Sequence, residues 1–194
     1  YDLYTFKVGM YWSGPPSRNR EACKIWISAF LCPNDPQAHA RSEADGIPIS
    51  SATPNEFAAL GNMCGVSDSV KWMTPNNTRP RKFPEADGVF GANQSCDIAD
   101  IVDGTSKTLA VGEAAGGGTG SKVGNFWATW NLKDTSEGIN GPHTAPGGKY
   151  PSDAAGPGTA SDSAGFSSWH PGGCHFLLAD GSVHFVSENI AQVV

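Results

Sequence analysis

The sequence predicts an α+β domain, an antiparallel β-sheet with short helices and long loops, and three observations point there. Twenty-four glycines and 14 prolines punctuate 194 residues, yet 39% of the chain is hydrophobic, enough for a core. Charged residues are only 16%, against about 25% in an ordinary soluble domain. A helical bundle or coiled coil, which needs Ala, Glu, Lys and Leu in bulk, is thereby excluded. Finally, residues 174–186 (CHFLLADGSVHFV) set an Asp-Gly pair between two apolar runs, the pattern of a β-hairpin. The length fits a single domain over 1–194.

Taken in order, residues 1–12 (YDLYTFKVGMYW) are aromatic and mostly alternating, which reads as a strand closed by Gly14-Pro15-Pro16. A short helix follows from Asn19, the candidate N-cap, through Cys23 to about Ile27. Residues 29–32 (AFLC) read as a buried strand, stopped by residues 33–36 (PNDP). Thr53, Pro54 and Glu56 have the form of a capping box, which places a short helix over residues 57–60, ended by Gly61. Residues 74–88 read as loop, residues 98–102 as a helical turn, and residues 108–113 (TLAVGE) as a buried strand. Residues 125–132 (NFWATWNL) form another aromatic strand. The tract 138–165 is a long Gly/Pro/Ser-rich loop, of a length usually reserved for function, motion or an assembly contact.

A two-residue Asp180-Gly181 loop in a type I′ turn would place Leu178 opposite Val183 and Phe176 opposite Phe185. Because strand side chains alternate, Cys174, Phe176, Leu178, Val183 and Phe185 would then form the core face. His175 and His184 would be diagonal neighbours on the other, mixed face, within reach of one metal ion but without a third ligand. The plainer reading is two half-exposed imidazoles.

Net charge is −6 with no basic run beyond residues 79–82, so nucleic acid is not an expected partner. No apolar run reaches the 18 residues that a membrane helix needs. The five cysteines lack CxxC or zinc-finger spacing. Two disulfides with one thiol left over would suit an exported chain, with Cys23, Cys32, Cys64 and Cys96 as candidates and the connectivity open. Residues 116–122 (GGGTGSK) lack the Gly-Lys-Ser/Thr of a phosphate loop. Asp97, Asp100 and Asp103 lack EF-hand spacing, which leaves only a structural calcium ion to consider. Ser167, Ser168 and His170 have no nucleophile elbow around them. With no convergent acid, base and nucleophile, the chain reads as non-catalytic, with neither catalytic residues nor a bound cofactor.

Residues 167–190 (SSWHPGGCHFLLADGSVHFVSENI) carry His170, nine residues, then Asp180-Gly181. This resembles the closing signature of a planctomycete pilin-like family of unknown function, known for a prepilin-type processing-associated motif of that spacing and also filed under a solute-binding label. Residues 27–36 (ISAFLCPNDP), 87–90 (DGVF) and 98–113 (IADIVDGTSKTLAVGE) resemble three further blocks of that family, in the same order. Where His175 and His184 stand, the family usually has Asn and Arg, which argues against a shared metal role for that pair. The resemblance implies a type IV pilin-like head without its N-terminal helix, that helix and a basic leader being expected upstream of Tyr1. In this reading His170, Asp180 and Gly181 are structural motif residues, and His170 folds back onto the hairpin after the Pro171-Gly172-Gly173 turn.

The function expected is that of an exported surface or extracellular structural subunit that self-associates into a homopolymer, such as a filament. The alternative is an extracellular binding module for glycans or small solutes, with Trp12, Trp127 or Trp130 as stacking platforms.

Overall fold

The computed structural model describes residues 18–35, 47–50, 53–69, 87–91, 96–115, 125–127, 132–140 and 164–190. The expected strand at 1–12, Trp12, Trp130, and most of the 74–88 and 138–165 loops lie outside them. The fold is mixed α+β, dominated by a mostly antiparallel sheet, with a few short helical turns. Among the described residues, a helix α1 (Arg18–Ala22) and ten strands follow one another as β1 (Ile47–Ser50), β2 (Thr53–Ala58), β3 (Leu60–Gly61), β4 (Met63–Asp68), β5 (Leu109–Glu113), β6 (Asn125–Phe126), β7 (Leu132–Ile139), β8 (Ala164–Phe166), β9 (Gly173–Leu178) and β10 (Val183–Ser187). Six of the strands make one sheet in the order β10-β9-β5-β4-β7-β8. Its β10-β9, β9-β5 and β5-β4 pairs are antiparallel, whereas β4-β7 and β7-β8 are parallel. No helix among the described residues is long and apolar enough to cross a membrane.

Several local expectations give way to non-local pairing. The capping-box segment is not helical: residues 53–58 form β2, because β1 supplies backbone partners through Ile47↔Ala58 and Ser50↔Thr53. Residues 29–32 are not a strand. Ser28–Phe30 is a 3-10 turn, with Phe30 N–H on the Ile27 carbonyl at 2.9 Å and Leu31 N–H on that of Ser28 at 3.1 Å. An apolar run that short cannot distinguish the two states. The first helix begins one residue early and stops at Ala22, so Asn19 lies inside it rather than capping it. The Cys23 carbonyl then accepts Ala59 N–H at 2.7 Å, which turns the chain towards β3. The strand expected at 108–113 is β5, and the turn expected at 98–102 is a 3-10 turn over Ile98–Asp100. The aromatic strand expected at 125–132 is divided between β6 and the start of β7.

The hairpin forms between the expected strands but in a different register. Val183 faces Leu177, His184 faces Phe176, Phe185 faces His175 and Val186 faces Cys174. Of the two loop residues only Gly181 has positive φ, at +90°. Gly181 N–H bonds the Leu178 carbonyl at 3.0 Å, and Leu178 N–H bonds that of Ser182 at 2.8 Å. This is a three-residue loop, a type I turn followed by a left-handed glycine, rather than type I′. The Asp180 carboxylate accepts Ser182 N–H at 2.9 Å and its hydroxyl at 2.6 Å, locking the turn. Those bonds hold the Asp180 carboxyl below its ordinary range. One extra loop residue slips β10 by one and exchanges its faces. Val183 and Phe185 are therefore exposed, Val186 packs on the core, and His184 leaves the face that holds His175.

The core gathers Cys64, Val66, Ala114, Phe166, Cys174 and Phe176, with Leu109, Ile139 and Val186 against it. Gly112 pairs with Cys64 on one side and Phe176 on the other. Phe166 arrives from β8 and meets Phe176 edge-on, with ring centroids 5.0 Å apart. Burying each ring contributes about 1.5–3 kcal/mol, so this pair anchors the sheet. Past β8 the chain bridges back to the end of β5: Ser167 pairs with Ala114, and Ser167 N–H bonds the Glu113 carbonyl at 3.1 Å. That bridge brings residues 167–170 to the end of β5.

No disulfide is present; Cys23, Cys32, Cys64, Cys96 and Cys174 are all free thiols, too far apart to pair. Cys64 and Cys174 serve as small core hydrophobes instead. Burial pushes the Cys23 thiol up to about 11 and that of Cys64 to about 12, and raises Cys174 as well. In denaturant without reductant, all five thiols should therefore react with a disulfide reagent. In the native protein Cys96, the one not buried, should react first. Fewer than five thiols in the unfolded chain would show a bridge.

Candidate functional site

Four separate segments meet at the end of β5. The first is the chain after the 3-10 turn, whose Cys32 is fixed through Asn62, in the short link between β3 and β4. Cys32 N–H donates to Asn62 Oδ1 at 3.0 Å, and Asn62 Nδ2 donates to Asp35 Oδ2 at 2.7 Å. The Asn62 backbone is equally committed, its N–H to the Phe30 carbonyl at 2.6 Å and its carbonyl to Ala114 N–H at 2.7 Å. Asn62 and Asp35 are almost fully buried, so these bonds replace water completely.

Glu113, the last residue of β5, is the centre. Its Oε2 accepts His175 N–H at 2.7 Å and the Ser168 hydroxyl at 2.8 Å, with His175 Nδ1 at 3.3 Å. Ser168 is itself placed by Asn140, whose Oδ1 accepts Ser168 N–H at 3.0 Å. The other carboxylate oxygen, Oε1, faces His170 Nε2 at 3.3 Å. That same nitrogen lies 3.6 Å from Cys32 Sγ. The Asn34 side-chain amide donates to His170 Nδ1 at 3.1 Å, which leaves the ring proton on Nε2, between Glu113 and Cys32. His175 stacks edge-on against His170 at 4.8 Å and against Phe185 at 5.0 Å.

As placed, this set joins segments that are distant in the chain. In a nucleophilic pair oriented by a third group, the base uses one ring nitrogen for the nucleophile and the other for its orienter. Here Cys32 and Glu113 share Nε2, while Nδ1 takes a neutral amide. Burial raises the Cys32 thiol above its ordinary value; the Asn34 backbone N–H opposes that rise and the Glu113 charge adds to it. One ligand atom each from Cys32, Glu113 and His170 lie within 4.8 Å of one another, a spacing that can hold a metal ion.

The blocks around Cys32, Glu113 and His170 are three of those on which the sequence resemblance rests, and they converge here. The family is shown by a separate comparison. A family model matches residues 3–193. The chain belongs to the family described as protein of unknown function, DUF1559. No curated protein and no solved structure matches it.

In this DUF1559 chain His170 does fold back from the Pro171-Gly172-Gly173 turn onto the hairpin. Asp180 and Gly181 stand in the turn beyond the far end of β9, a strand whose five residue steps span about 17 Å. The nine-residue spacing thus spans one strand with its two turns, and its ends do separate jobs. His175 and His184 do not converge, since β10 has slipped. Asp97, Asp100 and Asp103 form no ligand group; Asp100 Oδ2 accepts Asp97 N–H at 2.9 Å and closes the 3-10 turn. Trp127 is half-buried, with its indole N–H on the Ile25 carbonyl at 2.9 Å and its ring beside Phe30 at 6.2 Å. Cys32 stood among the disulfide candidates, and Glu113 was legible only as strand. Asn62 carries no sequence signal of its role.

Proposed function

We propose that this chain is a non-catalytic structural subunit, exported to the cell surface or beyond, with a pilin-like head that assembles with copies of itself. The observation that carries this reading is the edge strand β10. It is five residues long, pairs with β9 alone among the described residues, and contains no Asp, Glu, Lys, Arg, proline or bulge. Monomeric proteins ordinarily protect an exposed edge with those features. On the face beside it Leu177, Val183 and Phe185 are 36%, 63% and 49% exposed. A second copy pairing along β10 would satisfy the free backbone groups and cover these side chains in one step. The resemblance to the planctomycete pilin-like family, with its His-nine-Asp-Gly motif, supports the same reading.

The test uses light scattering and negative-stain microscopy across a concentration series. The wild-type chain should form dimers or longer polymers. Val183→Lys, which charges the exposed edge without touching the core, should shift it to monomer with its melting temperature kept. A wild-type chain that stays monomeric throughout, or a Val183→Lys variant that assembles equally well, would overturn the reading.

A further inference from the structure

We propose that Cys32, Glu113 and His170 bind one zinc-class divalent cation per chain, through Sγ, Oε1 and Nε2. The donor set is the first reason. Thiolate, imidazole and carboxylate together suit zinc, which takes three protein ligands and leaves a fourth tetrahedral position for water or an exogenous ligand. The second reason is how the ligands are held. Oε2 of Glu113 is anchored by His175 N–H and by Ser168, which leaves Oε1 directed at His170. Anchoring one carboxylate oxygen so that the other can ligate is the work of outer-sphere partners in metal sites. Asn34 provides the matching device for the imidazole. Rotated about its amide, it accepts a proton on Nδ1 and frees Nε2 for the ion. Cys32 and Glu113 are buried at 6% and 8% exposure, while His170 is part-exposed and gives the ion an entry.

On binding, the Cys32 S–H bond breaks, an S–metal bond forms, and the proton leaves to solvent. The His170 ring proton moves from Nε2 to Nδ1, so the imidazole stays neutral. Two negative ligands then balance the divalent charge, which makes burial of the ion tolerable. The ion would tie the 3-10 turn, β5 and the approach to β9 at a single point. The site lies within one chain and is independent of whether copies assemble.

Cobalt(II) titration of the metal-free full chain tests this, with zinc as competitor. A thiolate-to-cobalt absorption band should saturate at one equivalent and vanish when zinc is added. Cys32→Ser and His170→Gln should abolish the band, Cys96→Ser should keep it, and Ser168→Ala should weaken affinity about 10–100-fold. Should Cys32→Ser or His170→Gln fail to fold, wild-type protein settles the matter by mass-spectrometric alkylation. Zinc should then slow labelling of Cys32 and leave Cys96 unchanged. No band in folded wild-type protein, a band that survives Cys32→Ser or is lost in Cys96→Ser, or Cys32 labelling indifferent to zinc would each overturn the proposal.

Discussion

Replacing Asn62 by Leu should lower the unfolding free energy by about 3–5 kcal/mol, measured by denaturant titration. The side chain supplies an acceptor to Cys32 N–H and a donor to the Asp35 carboxylate, both buried. Leucine is close in size, so the loss is polar. Leaving a buried N–H unsatisfied costs about 1–3 kcal/mol, and a charged group costs more. Asn62→Asp separates the two contributions. It keeps an oxygen for Cys32 N–H but sets a second carboxylate at the 2.7 Å contact with Asp35. Two carboxylates that close must share a proton, which raises the folded-state pKa of the pair. Its stability should therefore recover as pH falls and worsen as pH rises. An Asn62→Leu variant within about 1 kcal/mol of wild type would show that the hub bonds add little, since ordinary surface changes already span that range.

Asn62 also marks where sequence reasoning stops. Its partners are at positions 30, 32, 35 and 114, and no local pattern announces a residue whose whole role is non-local. β5 was legible because TLAVGE is a buried strand on its own terms, as was the alternation of β9. The helix expected at 57–60 rested on sound cap chemistry, but pairing with β1 outweighed it. The most instructive departure is β10. Asp-Gly marks the turn correctly, but a two-residue loop and a three-residue loop share that signature. A difference of one residue decides which side of β10 faces the core. The alternating pattern could not decide it, because Val183, Phe185 and Val186 offer apolar residues to both faces. Here the apolar surplus remains outside, on the face proposed for assembly.

The spacing of the His170 motif follows from strand β9 and its two turns, with no chemistry at Asp180. A strand pinned at one end by the Glu113 site and at the other by the Asp180-Ser182 turn has its length fixed. Ala179 N–H on the Thr108 carbonyl at 2.9 Å and Asp180 N–H on that of Thr105 at 3.2 Å tie the far end to the segment before β5. β9 is thus paired with β5 over Phe176, Leu177 and Leu178, and the Glu113 carboxylate takes His175 N–H at the end of that pairing. The site geometry depends on the sheet beneath it.

That dependence gives the remaining large effect. Gly112→Ala should destabilise the fold by about 3 kcal/mol, the upper part of the range for overpacking. A Cβ at Gly112 would lie 2.4 Å from Phe176 Cε1 and 2.5 Å from Phe166 Cδ1. Neither ring has room to withdraw: both are buried, and each packs edge-on against the other. Phe166 is further tethered by its carbonyl, which accepts Asn140 N–H at 2.9 Å. Relief must come from shortening a ring, so Phe166→Leu should rescue part of the loss. The double variant should be more stable than the sum of the single effects by about 1 kcal/mol or more, a coupling expected only between residues in contact. Strict additivity, or a neutral Gly112→Ala, would mean that the rings do not close over this position. Glu113 follows Gly112 directly, so a strand displaced at 112 carries the carboxylate away from Ser168 and His170. Cobalt affinity in Gly112→Ala should accordingly fall under conditions where the variant is still folded, and recover in the double variant along with stability.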